Sequence, residues 1–213
     1  MSVFFHEQLY RSRELLARVR EFEVTVCGAG ALGANVVESL ARQGFGRLRV
    51  CDRDRVEERN LSTQPYYRSD IGAQKARALA HALYRALGVE LDARADELTA
   101  ANAGKLLKGS ALVLDAFDNS ASRQAVKDYC AGADVPCLHA GLAGDYAEVI
   151  WNESYRVPLA AQDDVCDYPL ARNLVTLAVA VVCESVISFV ADGTRRSFTV
   201  TLRDLAVRPF TLE

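Results

Sequence analysis

Apolar and polar positions divide the chain into short blocks whose period switches between that of a helix and that of a strand. Residues 3–19 alternate charge and bulk at a helical period. Residues 22–27, Phe-Glu-Val-Thr-Val-Cys, follow as an apolar run feeding directly into glycine, which predicts a buried strand. A helix is predicted over 34–43, stopped by Gly44 and Gly46, and residues 47–51 read as a second strand. An Ala/Leu stripe over 73–87 predicts a long helix facing a sheet, closed by Gly88, and residues 89–95 suggest a third strand. Residues 111–114 form a wholly apolar strand ending at Asp115, followed by a helix over 122–131 and a strand over 135–139. Such alternation predicts an α/β fold with a doubly wound, mainly parallel sheet and sites at the strand carboxyl ends. The pattern then changes. Residues 146–151 and 197–207 are strand-like and flank an apolar helix over 174–190, which suggests antiparallel strands added at the C-terminal edge of the sheet. A single domain over 1–213 follows: an amino-terminal helix within 1–20, a core over 22–140, and a carboxy-terminal helix and strands over 141–213, with no internal repeat or linker.

Composition narrows the function classes. Half of the 213 residues are hydrophobic and a quarter are charged, as in a globular domain with a sizeable core. The net charge of −3 offers no basic footprint, so nucleic acid is not the first guess for a partner. Residues 1–20 carry Glu7, Arg11, Arg13, Glu14, Arg18 and Arg20 and lack the apolar run of a secretory signal, which leads to the expectation of a cytoplasmic protein. The apolar stretch 174–190 is interrupted by Thr176, Cys183, Glu184, Ser185 and Ser188, so a buried helix is expected and no membrane span. The six cysteines include no C-x-x-C pair, which argues for reduced thiols and against a zinc site of that type.

The chemistry begins at Gly28-Ala29-Gly30-Ala31-Leu32-Gly33, a G-x-G-x-x-G turn between a strand and a helix. There backbone N–H groups and the helix dipole meet phosphate. Asp52 ends the second strand 52 − 33 = 19 residues after the last glycine, the place where an acidic side chain takes ribose hydroxyls. This much indicates a Rossmann-like nucleotide site, and an NAD dehydrogenase would share it.

The residues that follow separate the readings. Asp52-Arg53-Asp54-Arg55-Val56, Asn60-Leu61-Ser62-Thr63-Gln64, Asp70-Ile71-Gly72-Ala73-Gln74-Lys75-Ala76 and Asp115-Ala116-Phe117-Asp118-Asn119 with Arg123 occur in that order. Hydride transfer requires no such series. Together they resemble the superfamily of ThiF, MoeB and the ubiquitin-activating enzymes, whose pattern is a glycine loop, D-x-D-x-V, N-L-x-R-Q, D-x-G-x-x-K-A and D-x-x-D-N-x-x-x-R. The resemblance runs over roughly residues 9–151.

The resemblance implies adenylation of a carboxylate with ATP and Mg²⁺. Lys75 would hold phosphate oxygens through the transition state and Asp118 would ligate Mg²⁺. Asn60 and Gln64 would line the triphosphate pocket, with Asp52, Asp54, Asn119 and the glycine turn completing it. Read singly, Lys75 is an exposed helix charge and Asn119 an Asx cap. The family's N-L-x-R-Q arginine is replaced by Thr63, for which Arg53, Arg55, Arg59 or Arg68 could substitute. Tyr10-Arg11-Ser12-Arg13 resembles the amino-terminal stretch whose second arginine, here Arg13, reaches the partner subunit's nucleotide, implying a homodimer. Its alternative is a solvated helix face. Cys166 is the candidate for thiol chemistry, since in relatives a cysteine of the crossover loop takes a thioester or persulfide. The loop is short here and its zinc cysteines are absent, so no zinc is expected and a structural thiol is the competing reading. His139 could line the substrate cleft or be a hydrogen-bonded structural group, while Cys183 and Trp151 read as core.

The partner implied is a small ubiquitin-like or sulfur-carrier protein ending in Gly-Gly, whose terminal carboxylate is adenylated with release of pyrophosphate. Three alternatives stand beside it: adenylation of a peptide or RNA-borne carboxylate, a catalytically lapsed nucleotide-binding partner of an active relative, and an NAD-dependent oxidoreductase.

Overall fold

The computed structural model describes residues 2–158 and 169–211. Its strands form one sheet of order β3-β2-β1-β4-β5-β6-β7-β8. The strands are β1 Glu23–Cys27, β2 Arg47–Cys51, β3 Leu91–Arg94, β4 Leu112–Asp115, β5 Cys137–Ala143, β6 Tyr146–Trp151, β7 Phe198–Thr201 and β8 Ala206–Pro209. Strands β3-β2-β1-β4-β5 are parallel and β6, β7 and β8 continue antiparallel, as the change of pattern after residue 140 suggested. The strand-like stretch 197–207 is a hairpin, turned through Leu205 at a φ of +52°.

Alternating side chains on the central strands build two cores. Val24, Val26, Leu48, Val50, Leu112, Leu114, Leu138 and Ala140 pack with helices α3 Ala31–Arg42, α4 Lys75–Leu87 and α7 Arg172–Asp192. The intervening positions, Cys27, Cys51, Val113 and Cys137, face helices α5 Ala103–Leu106 and α6 Ser120–Gly132. Helix α7 is long and apolar enough to cross a membrane, but 56% of its apolar window is buried inside the fold. Leu174, Val175, Ala178, Val182, Val186 and Val190 belong to the first core, so α7 is a core helix.

The expected amino-terminal helix is broken. Ser12 adopts a φ of +83°, separating α1 Phe5–Arg11 from α2 Arg13–Glu21, and its hydroxyl accepts from the Leu15 N–H at 3.2 Å to cap α2. Both helices are tied to α7: Arg11 pairs with Glu184, and Arg18 donates to the Val190 and Ala191 carbonyls at its carboxyl end.

The chain leaves β1 for one face of the sheet and β4 for the other. Between the carboxyl ends of these two neighbouring strands lies the crevice where open α/β sheets bind ligands.

Candidate active site

The glycine turn is shaped by close approach to the turn after β4. Gly28, at a φ of +96°, donates its N–H to the Cys51 carbonyl at 2.8 Å, and a Cβ on it would lie 2.9 Å from the Ala116 carbonyl oxygen. A Cβ on Gly33 would lie 1.9 Å from the Gly28 carbonyl oxygen. Gly30 is different: nothing lies within 4 Å of its Cβ position. It precedes α3 with no side-chain cap, so the first N–H groups of α3 face the crevice without a side-chain acceptor.

Asp52 holds this turn in place. Its Oδ2 accepts from the Ala29 N–H at 2.6 Å and its Oδ1 from the Asp54 N–H at 2.7 Å. Burial pushes its carboxyl above the ordinary value, opposed by those hydrogen bonds and by Lys75. Lys75 is not an exposed helix charge. The helix begins at Lys75, two residues later than the pattern suggested, so the side chain is buried at the first helical position. Its N–H donates to the Asp54 carbonyl at 2.9 Å and its Nζ lies 3.4 Å from Asp54 Oδ2. A buried cation at the positive end of a helix dipole, with one exposed carboxylate beside it, suits an anionic ligand.

The segment between β2 and α4 covers the glycine turn. Tyr66 donates its hydroxyl to the Ala29 carbonyl at 2.9 Å, and Asn35 Nδ2 bridges the Ala31 and Thr63 carbonyls at 2.7 and 2.8 Å. Asn60 Oδ1 accepts from the Glu57 N–H at 2.9 Å, shaping a 3-10 turn over Glu58–Ser62. The Asn60 carbonyl accepts the Gln64 N–H at 2.9 Å. Gln64 is buried and its Oε1 has no hydrogen-bond partner among the described residues. An orphaned buried oxygen beside a phosphate-type turn fits a ligand that brings a donor. Of the four candidate substitutes for the family arginine, Arg53 pairs with Glu97, Arg55 donates to the Gly72 carbonyl, and Arg59 pairs with Glu57. Arg68 is exposed and makes no ion pair among the described residues.

Across the crevice, Asn119 caps α6, its Oδ1 accepting from the Ser122 N–H at 2.8 Å. Asp118 is exposed with no ion pair among the described residues, which contain no cluster of three potential metal ligands. Magnesium that keeps most of its waters and shares a nucleotide's phosphates needs only one or two carboxylates, so a lone Asp118 fits it.

Beneath this turn lies a buried polar network that the sequence only hinted at. His139 is 0% exposed and does not line the cleft. Asp115 accepts from it, and Tyr155 stacks on it. Arg123 donates to the Tyr155 hydroxyl at 2.6 Å and to the Ala140 carbonyl at 3.0 Å, and burial pushes the Tyr155 phenol up to about 12. The signal was the placing of polar residues at the ends of apolar strands.

Arg13 lies far from these groups. Leu16 of α2 is 3.5 Å from the Cβ position of Gly44, and the Gly46 N–H donates to the Arg20 carbonyl at 3.2 Å, so α2 abuts the carboxyl end of α3. The glycine turn is at the opposite end of that 12-residue helix, about 18 Å away. Cys166 falls outside the described residues. Cys183 and Trp151 are core, Trp151 donating Nε1–H to the Arg196 carbonyl at 3.2 Å.

The ThiF family model matches residues 6–183, and the chain belongs to that family. It is 32% identical over 133 residues to the sulfur carrier protein ThiS adenylyltransferase of Bacillus subtilis, covering 61% of this chain and 40% of that protein. The SAMP-activating enzyme E1 of Haloferax volcanii is 35% identical over 131 residues, covering 59% and 47%. The chain thus spans less than half the length of these relatives. Among solved structures, Escherichia coli MccB with ATP superposes with a TM-score of 0.81 at 18% identity, covering 96% of this chain and 69% of that one. The E. coli tRNA N6-threonylcarbamoyladenosine dehydratase TcdA gives 0.78 at 20%, covering 89% and 94%. These two likenesses concern the fold.

Gly33→Ala should destabilise the protein by about 3 kcal/mol or more in chemical denaturation. Gly30→Ala should lose no more than about 1 kcal/mol, while weakening ATP binding measured by calorimetry, because its methyl enters the crevice. Glu148 on β6 has its carboxyl raised above the ordinary 4.5 by burial, with Arg123 and His139 pulling it back. A raised carboxyl contributes stability below its unfolded value that is lost as pH rises through the folded one. Glu148→Gln should therefore be more stable than wild type at pH 7, with the gap closing below about pH 4.5; an unchanged gap would refute the burial argument.

Proposed function

We propose that the protein is an ATP- and Mg²⁺-dependent adenylyltransferase that activates a carboxylate as its acyl-adenylate and releases pyrophosphate. Its partner would be a ubiquitin-like or sulfur-carrier protein offering a carboxy-terminal glycine, as the names of the Bacillus and Haloferax relatives suggest. One observation carries the reading: the uncapped start of α3 and the buried Lys75 beside Asp54 belong to the β1 side of the β1/β4 crevice, and the exposed Asp118 follows β4 on the other.

The chain's own groups account for the charge logic of the step. Attack by a carboxylate oxygen on the α-phosphorus gathers negative charge that the α3 N–H groups and Lys75 are placed to neutralise. Bound magnesium would neutralise phosphate oxygens and be held by Asp118. Asp52 orients the turn and keeps lone pairs free for ribose hydroxyls. Arg68, exposed and without an ion pair among the described residues, takes over from the arginine that Thr63 replaces.

Arg13 cannot serve its own nucleotide from the far end of α3, so its proposed action is on a partner's site in a homodimer. Its exposure and the apolar surface beside it support this: Leu9 is 69% and Tyr10 82% exposed. The protein is proposed to work in the cytoplasm.

Pyrophosphate–ATP exchange, with candidate carrier proteins supplied, should need Mg²⁺ and fall by more than about tenfold in Asp118→Ala or Lys75→Ala. A wild type that binds ATP without exchange for any carrier would favour the lapsed partner. Mixing inactive Arg13→Ala with inactive Asp118→Ala should restore about a quarter of the wild-type activity, since one site in such a mixed dimer is intact. No recovery from a mixture shown to exchange subunits would refute action in trans.

A further inference from the structure

We infer that His139 is a positioning residue for the turn that carries Asp118 and Asn119, acting through the buried carboxylate of Asp115. The role of Asp118 rests on the proposed function; the mechanical link does not.

The parallel register of β4 and β5 sets Asp115 beside His139 on the α6 face of the sheet, and both are 0% exposed. Asp115 divides its oxygens. Oδ2 lies 2.8 Å from His139 Nδ1, and because a carboxylate only accepts, Nδ1 carries the proton. Oδ1 accepts from the Phe117 N–H at 3.1 Å and so bends the chain immediately before Asp118. The Ala116 N–H is tied to the Cys27 carbonyl at 2.9 Å, and the Ala116 carbonyl abuts Gly28. The Asp115 carboxylate thus shapes a turn that touches the glycine turn and bears the proposed metal ligand.

The imidazole is fixed from its remaining sides. Nε2, left as the acceptor, lies 2.8 Å from the side-chain amide of Asn152, which satisfies it when its NH2 group is turned towards the ring, and 3.4 Å from Cys137 Sγ. The Tyr155 ring stacks on it with centroids 3.8 Å apart and planes 11° from parallel. Tyr155 is held by Arg123 at its hydroxyl and by Lys127 at its carbonyl. Three residues further on, the Pro158 carbonyl accepts from Ser120 Oγ at 2.8 Å, next to Asn119. Asp115 before the turn and Tyr155 beneath it both contact the ring, and the chain beyond Tyr155 meets Ser120 on the turn's far side.

A core histidine that merely fills space would not matter to the turn. Here it does, because Arg123 Nη1 stands 4.0 Å from Asp115 Oδ2. Without the imidazole, the buried carboxylate has one cation to swing towards, and the swing takes Oδ1 off the Phe117 N–H.

Three variants test this. Asparagine places its side-chain N–H near the position of Nδ1, so His139→Asn keeps the donor to Asp115; His139→Leu removes it. His139→Gln offers a donor only towards Asn152, and replaces the leucine variant if that one fails to fold. Hydrogen exchange at the Phe117 amide should accelerate about tenfold in His139→Leu or His139→Gln and stay near wild type in His139→Asn, with β4 amides unchanged in all three. The preference for binding ATP with Mg²⁺ over ATP in chelator, measured by calorimetry, should shrink about tenfold in the same two variants and survive in His139→Asn. Unchanged Phe117 exchange in a folded His139→Leu or His139→Gln overturns the inference, as does equal acceleration along β4 in every variant. If the exchange pattern holds but wild type shows no Mg²⁺ preference, the strut stands and the assignment of magnesium to Asp118 fails.

Discussion

The carbonyl oxygen of Ala116 occupies the space that a side chain on Gly28 would need, and the Gly28 carbonyl occupies the space of one on Gly33. These two exclusions are the constraint on which the crevice depends. They let the turn after β1 and the turn after β4 meet directly, so the start of α3 and the start of α6, on opposite faces of the sheet, both open at the carboxyl ends of its strands. A methyl group on Gly28 would push against the turn after β4, and one on Gly33 would break the glycine turn itself, so either would displace the backbone donors at the start of α3. Gly30 shares the motif but not the constraint, because the space in front of it is open. Two glycines are therefore required by the fold itself, and the third is not.

Both turns are braced by buried carboxylates rather than by apolar packing. Asp52 ties Ala29 to Asp54, and Asp115 ties Phe117 to His139. Burying a carboxylate is unfavourable unless each oxygen finds a donor, and here each oxygen does. Burial nonetheless raises the Asp52 carboxyl, so its folded state is strained at neutral pH in favour of an ordered turn. Selection for stability alone would favour a less expensive residue at the end of β2. Its presence argues that the exact placing of the turn is what matters.

Much of this was legible in the sequence, because the signals are local. The βαβ unit, the glycine turn, Asp52 at the end of β2 and the added antiparallel edge all follow from period and spacing, and the acidic turn was recognisable from its motif. What was illegible depends on register or on single dihedral angles. The contact between Asp115 and His139 exists only because β4 and β5 pair in one register, and 24 positions of chain separate the two residues. The break at Ser12 rests on one positive φ that a serine seldom adopts. The start of α4 at Lys75, rather than two residues earlier, converts an apparently solvated lysine into a buried one. Periodicity locates a helix to within a turn, and at Lys75 the first turn is where the chemistry lies.

The position of the amino-terminal helices gives the fold a further asymmetry. Arg18 and Arg11 fasten α1 and α2 to α7 at the carboxyl end of α3, so the charges of this region are turned away from the crevice of the same chain. Near that crevice the described cationic groups are few: Lys75 is partly offset by Asp54, Arg53, Arg55 and Arg59 are engaged with neighbours, and Arg68 alone of the four arginines makes no ion pair among the described residues. A triphosphate carries more negative charge than one lysine, a helix terminus and a single magnesium ion neutralise, particularly where Thr63 replaces a guanidinium. Under the proposed function Arg68 meets part of that shortfall, and a cation entering from outside the crevice would meet the rest. A second copy would bring Arg13, already exposed at the start of α2, without any rearrangement of its own fold. Charge balance, rather than buried area, is thus the physical argument behind the proposed homodimer.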